Sequence, residues 1–151
     1  MLSGWQLNGI VTLTSGSPFN ITFNSDTNLD GITTDRPDVV GNPGLGSGRS
    51  RLYKINMFFN TAAYAIPVGR PYGNSSRDPL LGPGFVNADI SAFKRFAIIR
   101  EDNLLFHAEV FNLFNNVNLG SPNGTLGSPK FGMITSAGAP RIMQLALKYE
   151  F

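Results

Sequence analysis

The sequence contains no cysteine among its 151 residues. A disulfide framework, thiolate metal sites and cysteine nucleophiles are therefore excluded. Charge is also scarce, since charged residues make up 15% of the chain, against about 25% in ordinary soluble domains. The 12 basic residues nearly balance the 10 acidic ones and leave a net charge of +2. The basic surface that a nucleic-acid partner requires is therefore not expected.

Long apolar runs are missing as well. No segment approaches the ~18 consecutive apolar residues that predict a membrane-spanning helix. Residues 1–5 have neither the basic nor the apolar region of a signal peptide. We therefore expect neither a helical membrane protein nor a complete secretory precursor. Membrane-spanning β-strands remain open, because their signal is weak in each segment.

Glycine and proline are frequent, with 17 and 10 copies, and they mark the turns of the chain. Between them, four stretches alternate apolar and polar residues with a period of two, which is the main sequence signal of a β-strand. The last stretch is the clearest, because every second residue from Met143 to Phe151 is apolar. The predicted strands lie near residues 4–15, 85–98, 103–113 and 141–151.

The connections between these strands are very unequal. Two long loops are predicted at residues 16–84 and 114–140, and a tight turn near residues 100–103 joins the second strand to the third. Loops of more than about 12–15 residues are uncommon in compact domains, whereas outer-membrane barrels combine short periplasmic turns with long extracellular loops. The pattern predicts an all-β fold of antiparallel up-and-down strands, a partial transmembrane β-barrel of about four strands with two long loops.

The side chains on the two strand faces fit that fold. The ionisable residues lie opposite the apolar stripes, on the face that would line a lumen: Asp89, His107, Glu109, Lys148 and Glu150. The aromatic residues predicted near the periplasmic interface are Trp5, Phe93, Phe96, Tyr149 and Phe151, and those near the outer interface are Phe111 and Phe114. The alternative is a secreted soluble β-sandwich, whose strands also alternate and whose loops would bind glycans or proteins.

Several segments resemble the C-terminal end of TonB-dependent outer-membrane receptors. The resemblance is to the Oar-like group, whose members carry a carboxypeptidase-regulatory-like amino-terminal domain. The segments occur in family order and cover most of the chain: residues 4–9, 15–19, 35–43, 59–64, 82–91 and 109–115. No single segment is decisive, and the specificity lies in the ordered set.

The resemblance implies that the protein takes up a large, scarce ligand through a plugged barrel in the bacterial outer membrane. This chain would supply barrel wall and extracellular loops, with outer-membrane lipid and the remainder of the receptor barrel and plug as partners. The plug and the energy-coupling segment of such receptors have no counterpart in the sequence. Four strands cannot close a barrel, for which ~8 are the usual minimum, so we expect a piece of a longer receptor.

The end of the chain, residues 144–151, is similar to the signal by which the barrel-assembly machinery recognises a final strand. Gln144 matches its polar position, and Tyr149 and Phe151 match its alternate aromatic positions, while Ala146 replaces the usual glycine. An edge strand with unpaired backbone groups is suited to recognition by strand addition. The alternative is that these residues merely end a core strand.

The first long loop contains half of a calcium-binding pattern. Asp26, Asn28 and Asp30 place oxygen ligands at alternate positions before a glycine, as in the first half of a calcium loop. The twelfth position is Pro37 where the pattern requires glutamate, although Asp35 could substitute. Asx turns that hold no ion are the alternative, and no other cofactor is predicted.

Catalytic motifs are not found. His107, the only histidine, alternates with Glu109, but neither a nucleophile nor a metal-binding spacing accompanies the pair. No serine lies in a G-x-S-x-G elbow. The two residues are interpreted as part of a hydrogen-bonded lumen network, and we expect the protein not to be an enzyme.

Overall fold

The structure is a computed structural model that describes residues 4–98 and 102–151. It contains one short helix, α1 (Arg51–Asn56), and a single 3-10 turn (Thr61–Ala63) within these residues. The strands are β1 (Trp5–Thr14), β2 (Pro18–Phe19), β3 (Thr22–Phe23), β4 (Asp38–Val39), β5 (Tyr64–Ala65), β6 (Leu80–Leu81), β7 (Phe85–Ala97), β8 (Asn103–Phe111), β9 (Thr125–Leu126) and β10 (Ile142–Glu150). No helix in these two ranges is long and apolar enough to cross a membrane.

The four long strands form one antiparallel sheet in the order β1-β7-β8-β10. Each lies within one of the four segments that the alternation predicts, and each is joined to its next neighbour along the chain. The predicted all-β, antiparallel up-and-down fold is therefore confirmed. A β-sandwich would divide its strands between two packed sheets, whereas all four long strands here belong to one.

The register of the sheet aligns apolar residues with apolar residues. Residues directly opposite each other in an antiparallel pair project from the same face. One row across all four strands is apolar: Leu7, Ala92, Ala108 and Leu145. The row displaced by one residue along each strand is polar: Asn8, Ser91, Glu109 and Gln144. The sheet therefore has an apolar face and a polar face.

The two long loops fold into a second compact unit, made of residues 16–83 and 119–137, which we call the loop unit. Its buried core consists of Ile21, Phe59, Ala63 and Tyr64. The ring of Phe59 lies 5.9 Å from that of Phe19, 5.9 Å from that of Tyr64 and 5.2 Å from that of Phe131. Such edge-to-face and tilted contacts stabilise aromatic clusters beyond their buried area.

Short strand pairs and close backbone approaches at glycines join the segments of the loop unit. β2 pairs with β6 and β4 with β5, both antiparallel, while β3 pairs with β9 in parallel. Gly73 lies so close to the preceding chain that a Cβ atom would come within 2.1 Å of the Arg36 carbonyl oxygen. Only glycine fits there, and the backbone N–H of Ser75 then donates to the carbonyl oxygen of Pro37 at 3.0 Å.

Truncating the central aromatic residue of the loop unit should destabilise it strongly. Phe59 is 2% exposed, and Phe→Ala substitutions in cores cost about 3–5 kcal/mol. We expect Phe59→Ala to make residues 16–83 sensitive to limited proteolysis. Leu52→Ala is the matched control, because Leu52 is 68% exposed. Equal proteolysis of the two variants would contradict the core described here.

Candidate functional site

The apolar face of the sheet carries large, exposed apolar side chains on its two outer strands. Leu7, Val11 and Leu13 of β1 and Met143, Leu145 and Leu147 of β10 are each at least 66% exposed. Contiguous apolar patches of this kind mark contact with another apolar phase or partner. The face is therefore suited to lipid.

Lys94 is the one charged residue on the apolar face of the strands in the described ranges. It lies opposite Trp5 on β1 and Phe106 on β8. Its ammonium group is 4.9 Å from the ring centres of both Trp5 and Phe96, and the Trp5 and Phe106 rings meet edge to face at 6.1 Å. The ionisable residues that the alternation was used to place do not include Lys94. Continuing the same alternation to Phe96 would have found it.

A lysine on the lipid-facing side of a barrel costs about 2–4 kcal/mol at the bilayer midplane and about 0–1 kcal/mol near the interface. The stacking with Trp5 and Phe96 is the cation–π arrangement that lowers this cost further. Lys94 therefore lies near the Trp5 end of the apolar face. From there its long side chain can extend to the lipid headgroups.

The predicted aromatic positions divide between the two faces. Phe96 and Tyr149 both pair with Leu104, at the Trp5 end of the apolar face. The rings of Tyr149 and Phe151 are stacked, with their centres 6.1 Å apart. Phe93 lies at the same end but projects from the polar face, where its ring stacks on that of His107 at 4.0 Å. An odd spacing along a strand reverses the face, so Phe93 and Phe96 cannot share one aromatic girdle.

The predicted outer-interface residues also differ from each other. Phe111 follows the alternation of His107 and Glu109 and therefore belongs to the polar face, where it lines a cavity with Asp89 and Ser91. Phe114 lies beyond the end of β8 and is 70% exposed. Of these two rings, only that of Phe114 is free to contact the surroundings of the barrel.

The polar face carries its charges in compensated groups. Arg95 and Lys148 each donate to a different oxygen of Glu150, both at 3.0 Å. Asp89 Oδ1 accepts from the side-chain amide of Asn87 and from the backbone N–H of Asn112, both at 2.8 Å. These contacts form the kind of polar network that a water-filled barrel interior tolerates.

His107 belongs to the same face. Its Nε2 atom lies 3.2 Å from Glu109 Oε1 but outside hydrogen-bond geometry. Glu109 lines a cavity of about 170 Å³ with Asn8 and Asp89. The sequence places the His107–Glu109 pair on one face, and the structure brings the two side chains together there.

The four residues of the predicted assembly signal lie on β10 or directly after it. Gln144 and Ala146 project from the polar face, opposite Glu109 and His107. Tyr149 belongs to the apolar face and donates a 2.7 Å hydrogen bond to Asp102, the residue directly before β8. Residues 100 and 101 of the predicted tight turn lie outside the described residues. In the described sheet β10 pairs only with β8, so its other edge is available for strand addition.

The predicted calcium ligands also lie together, but their oxygens already accept hydrogen bonds. Asp26 accepts from the backbone N–H groups of Asp30 and Gly31 at 3.1 and 2.9 Å. Asn28 Nδ2 donates to Asp30 at 2.9 Å. This is the geometry of consecutive Asx turns. Within residues 4–98 and 102–151, the structure has no group of three or more histidine, cysteine, aspartate or glutamate side chains that could hold a metal ion. Calcium binding stays a prediction.

Asp35, the predicted substitute ligand, has a different structural role. Its carboxylate accepts from the backbone N–H and the hydroxyl of Thr27 at 2.6 and 2.8 Å. These hydrogen bonds favour the ionised form and lower the pKa of Asp35. The residue therefore closes the base of the loop that contains Asp26 and Asp30.

A buried carboxylate holds a second part of the loop unit together. Asp38 is 7% exposed and accepts from Arg70 Nη2 at 2.5 Å and from the backbone N–H of Asn74 at 3.0 Å. The hydrogen bond from Arg70 is the main reason that the pKa of Asp38 is lowered. Asn74 in turn accepts from the backbone N–H of Val39 at 2.7 Å. The segment around residues 70–74 is thus fixed onto β4.

These two carboxylates predict how the loop unit responds to acid. Both pKa values lie below the ordinary value of 3.8, so the stability they contribute is fully present above that pH. It is lost as the pH falls through the lowered values. We expect amide exchange, corrected for its intrinsic rate, to accelerate at residues 70–75 as the pH falls below 3.8. Asp38→Asn should show faster exchange at neutral pH and less pH dependence. The same profile in both proteins would contradict this role.

Comparison with known proteins gives one result. The family model described as "Outer membrane beta barrel domain" matches residues 1–144. No curated protein and no solved structure matches the chain. The match confirms the all-β barrel fold class and the predicted location in the outer membrane.

Proposed function

The chain belongs to the family of outer membrane β-barrel domains, and we propose that it forms a sector of the wall of a TonB-dependent receptor. In this role the apolar face of the sheet contacts lipid and the polar face lines the lumen. The loop unit is the extracellular, ligand-contacting part. The observation that carries the proposal is the register of the four strands, which gathers the large apolar stripes on one face and every charged strand residue except Lys94 on the other.

The two outer strands of the sheet indicate the partner. In the described sheet, β1 pairs only with β7 and β10 only with β8. A backbone polar group left without a partner in hydrocarbon costs several kcal/mol. Both edges therefore have to be continued by further strands, which we assign to the remainder of the barrel. A plug inside such a barrel would meet the polar face.

Receptor function, as opposed to a simple pore, is supported by the loop unit and by the family resemblance. A pore needs only short connections, but here 87 residues (16–83 and 119–137) form a unit with its own core. A preorganised surface of this kind is suited to selecting a large, scarce ligand. On the polar face, Arg95 and Lys148 both pair with Glu150, and we propose a role in binding and passage without catalysis.

Adjacent substitutions on β10 test which face meets lipid. Leu145 lies on the apolar face and Gln144 on the polar face, opposite Glu109. A lysine facing the centre of the bilayer costs about 2–4 kcal/mol, so we expect Leu145→Lys to lower the amount of protein in the outer-membrane fraction at least about tenfold. Gln144→Lys is the matched control and should leave that amount nearly unchanged. The reverse order would show that the two faces are wrongly assigned.

The predicted assembly signal is tested at its last residue. Phe151 is 98% exposed, so its removal creates no cavity in either unit. If the barrel-assembly machinery binds β10, deletion of Phe151 should sharply reduce the outer-membrane level of the protein. Phe151→Tyr retains an aromatic ring and should restore it. Normal assembly after deletion would argue against this partner.

A further inference from the structure

The loop unit contains a partly open cavity of about 280 Å³ between the segment 43–47, Lys54 of α1, the pair Phe58 and Phe59, and β6. Most of its wall is apolar, and its largest apolar side chains are Leu45, Phe58, Phe59, Leu80 and Leu81. Ligand pockets begin at about 300 Å³, so the cavity suits a small molecule. One side chain of its wall, that of Phe59, also belongs to the buried core of the loop unit.

Two cationic residues, Arg49 and Lys54, line this cavity, and no acidic residue does. The whole segment 39–77 contains five basic residues and no acidic one. The acidic residues at its two borders face other arginines, since Asp38 pairs with Arg70 and Asp78 lies 3.9 Å from Arg77. The positive charge at the cavity is therefore not neutralised within the loop unit.

Arg49 is held in place by the backbone around it. Its side chain donates to the carbonyl oxygens of Gly46 at 3.0 Å, Met57, and Phe58 at 2.8 Å. Neutral carbonyl groups orient the guanidinium but leave its charge uncompensated. Lys54 is half-buried at the cavity and has no ion-pair partner among the described residues. Its ammonium group is thus able to donate hydrogen bonds to an anion.

We infer that this cavity binds a small amphipathic carboxylate, with the anion at Lys54 and Arg49 and an aromatic or branched aliphatic body against Phe58 and Leu80. Charge-assisted hydrogen bonds are the strongest polar contacts available to such a ligand. The apolar wall would bind the rest of the molecule through buried area. The site lies wholly within the loop unit, so this inference does not depend on the proposed uptake function.

The test uses the full chain in detergent micelles and 3-phenylpropionate as the probe, followed by saturation-transfer NMR and titration. The neutral amide of the same molecule measures partition into micelles. We expect the carboxylate to bind and the amide to bind at least about tenfold more weakly, since a hydrogen bond to a charged group is lost. Equal signals for both probes, or no binding of the carboxylate above that of empty micelles, would overturn the inference.

Variants locate the anion. Lys54→Gln should weaken carboxylate binding about tenfold and Lys54→Arg should retain it. Lys130→Gln, on an exposed lysine of the same unit, removes the same charge elsewhere and should have no effect. Leu81→Glu places a negative charge at the rim, where Leu81 is 61% exposed, and should abolish binding without disturbing the core. Unchanged binding in Lys54→Gln, or an equal loss in Lys130→Gln, would contradict the site.

Discussion

Backbone pairing among the four long strands determines where every side chain of the sheet points. Neighbouring residues on a strand project from opposite faces, so the register of each pair decides which residues of adjacent strands share a face. A slip of one residue would move a whole stripe from one face to the other. Leu7 and Leu145, on the two outer strands, share a face because Ala92 and Ala108 join them in one row.

This dependence explains which parts of the fold could be predicted. Period-two alternation is a local signal, and β10 displays it without interruption from Met143 to Glu150. The loop unit depends on contacts between distant residues. Phe59 packs on Phe19 and on Phe131, although these residues are far apart in the chain. No periodic pattern links them, so the sequence predicts long loops where the structure has a compact unit.

The candidate site residues divide in the same way. The positions of Asp89, His107 and Glu109 on the polar face of the sheet follow from alternation alone. The same rule, applied to the end of β7, would also have placed Phe93 on the polar face and Lys94 on the apolar one. The oxygens of Asp26 and Asp30 could be grouped from their spacing, but spacing does not reveal that backbone N–H groups already donate to them.

Other features depended on signals of a different kind. The salt bridge between Asp38 and Arg70 joins residues 32 positions apart, and a sequence gives no register for such a contact. The cavity beside Lys54 has one signal in the sequence, which is the long segment around Lys54 that contains no acidic residue. Such a charge imbalance indicates a binding site only when the structure shows that the basic side chains line the same cavity.

The position of Lys94 also bears on the depth of the sheet in the membrane. On β7 the apolar face runs from Val86 to Phe96, and the ten steps between these residues span roughly 33 Å at about 3.3 Å per residue. A strand tilt of about 40° reduces this to roughly 25 Å, the height of the apolar band of an outer-membrane barrel. Lys94 then lies about 5 Å inside the boundary, within reach of its four-carbon side chain. The charge, its two aromatic neighbours and the strand length therefore agree on one depth, with the Trp5 end of the sheet at the headgroups.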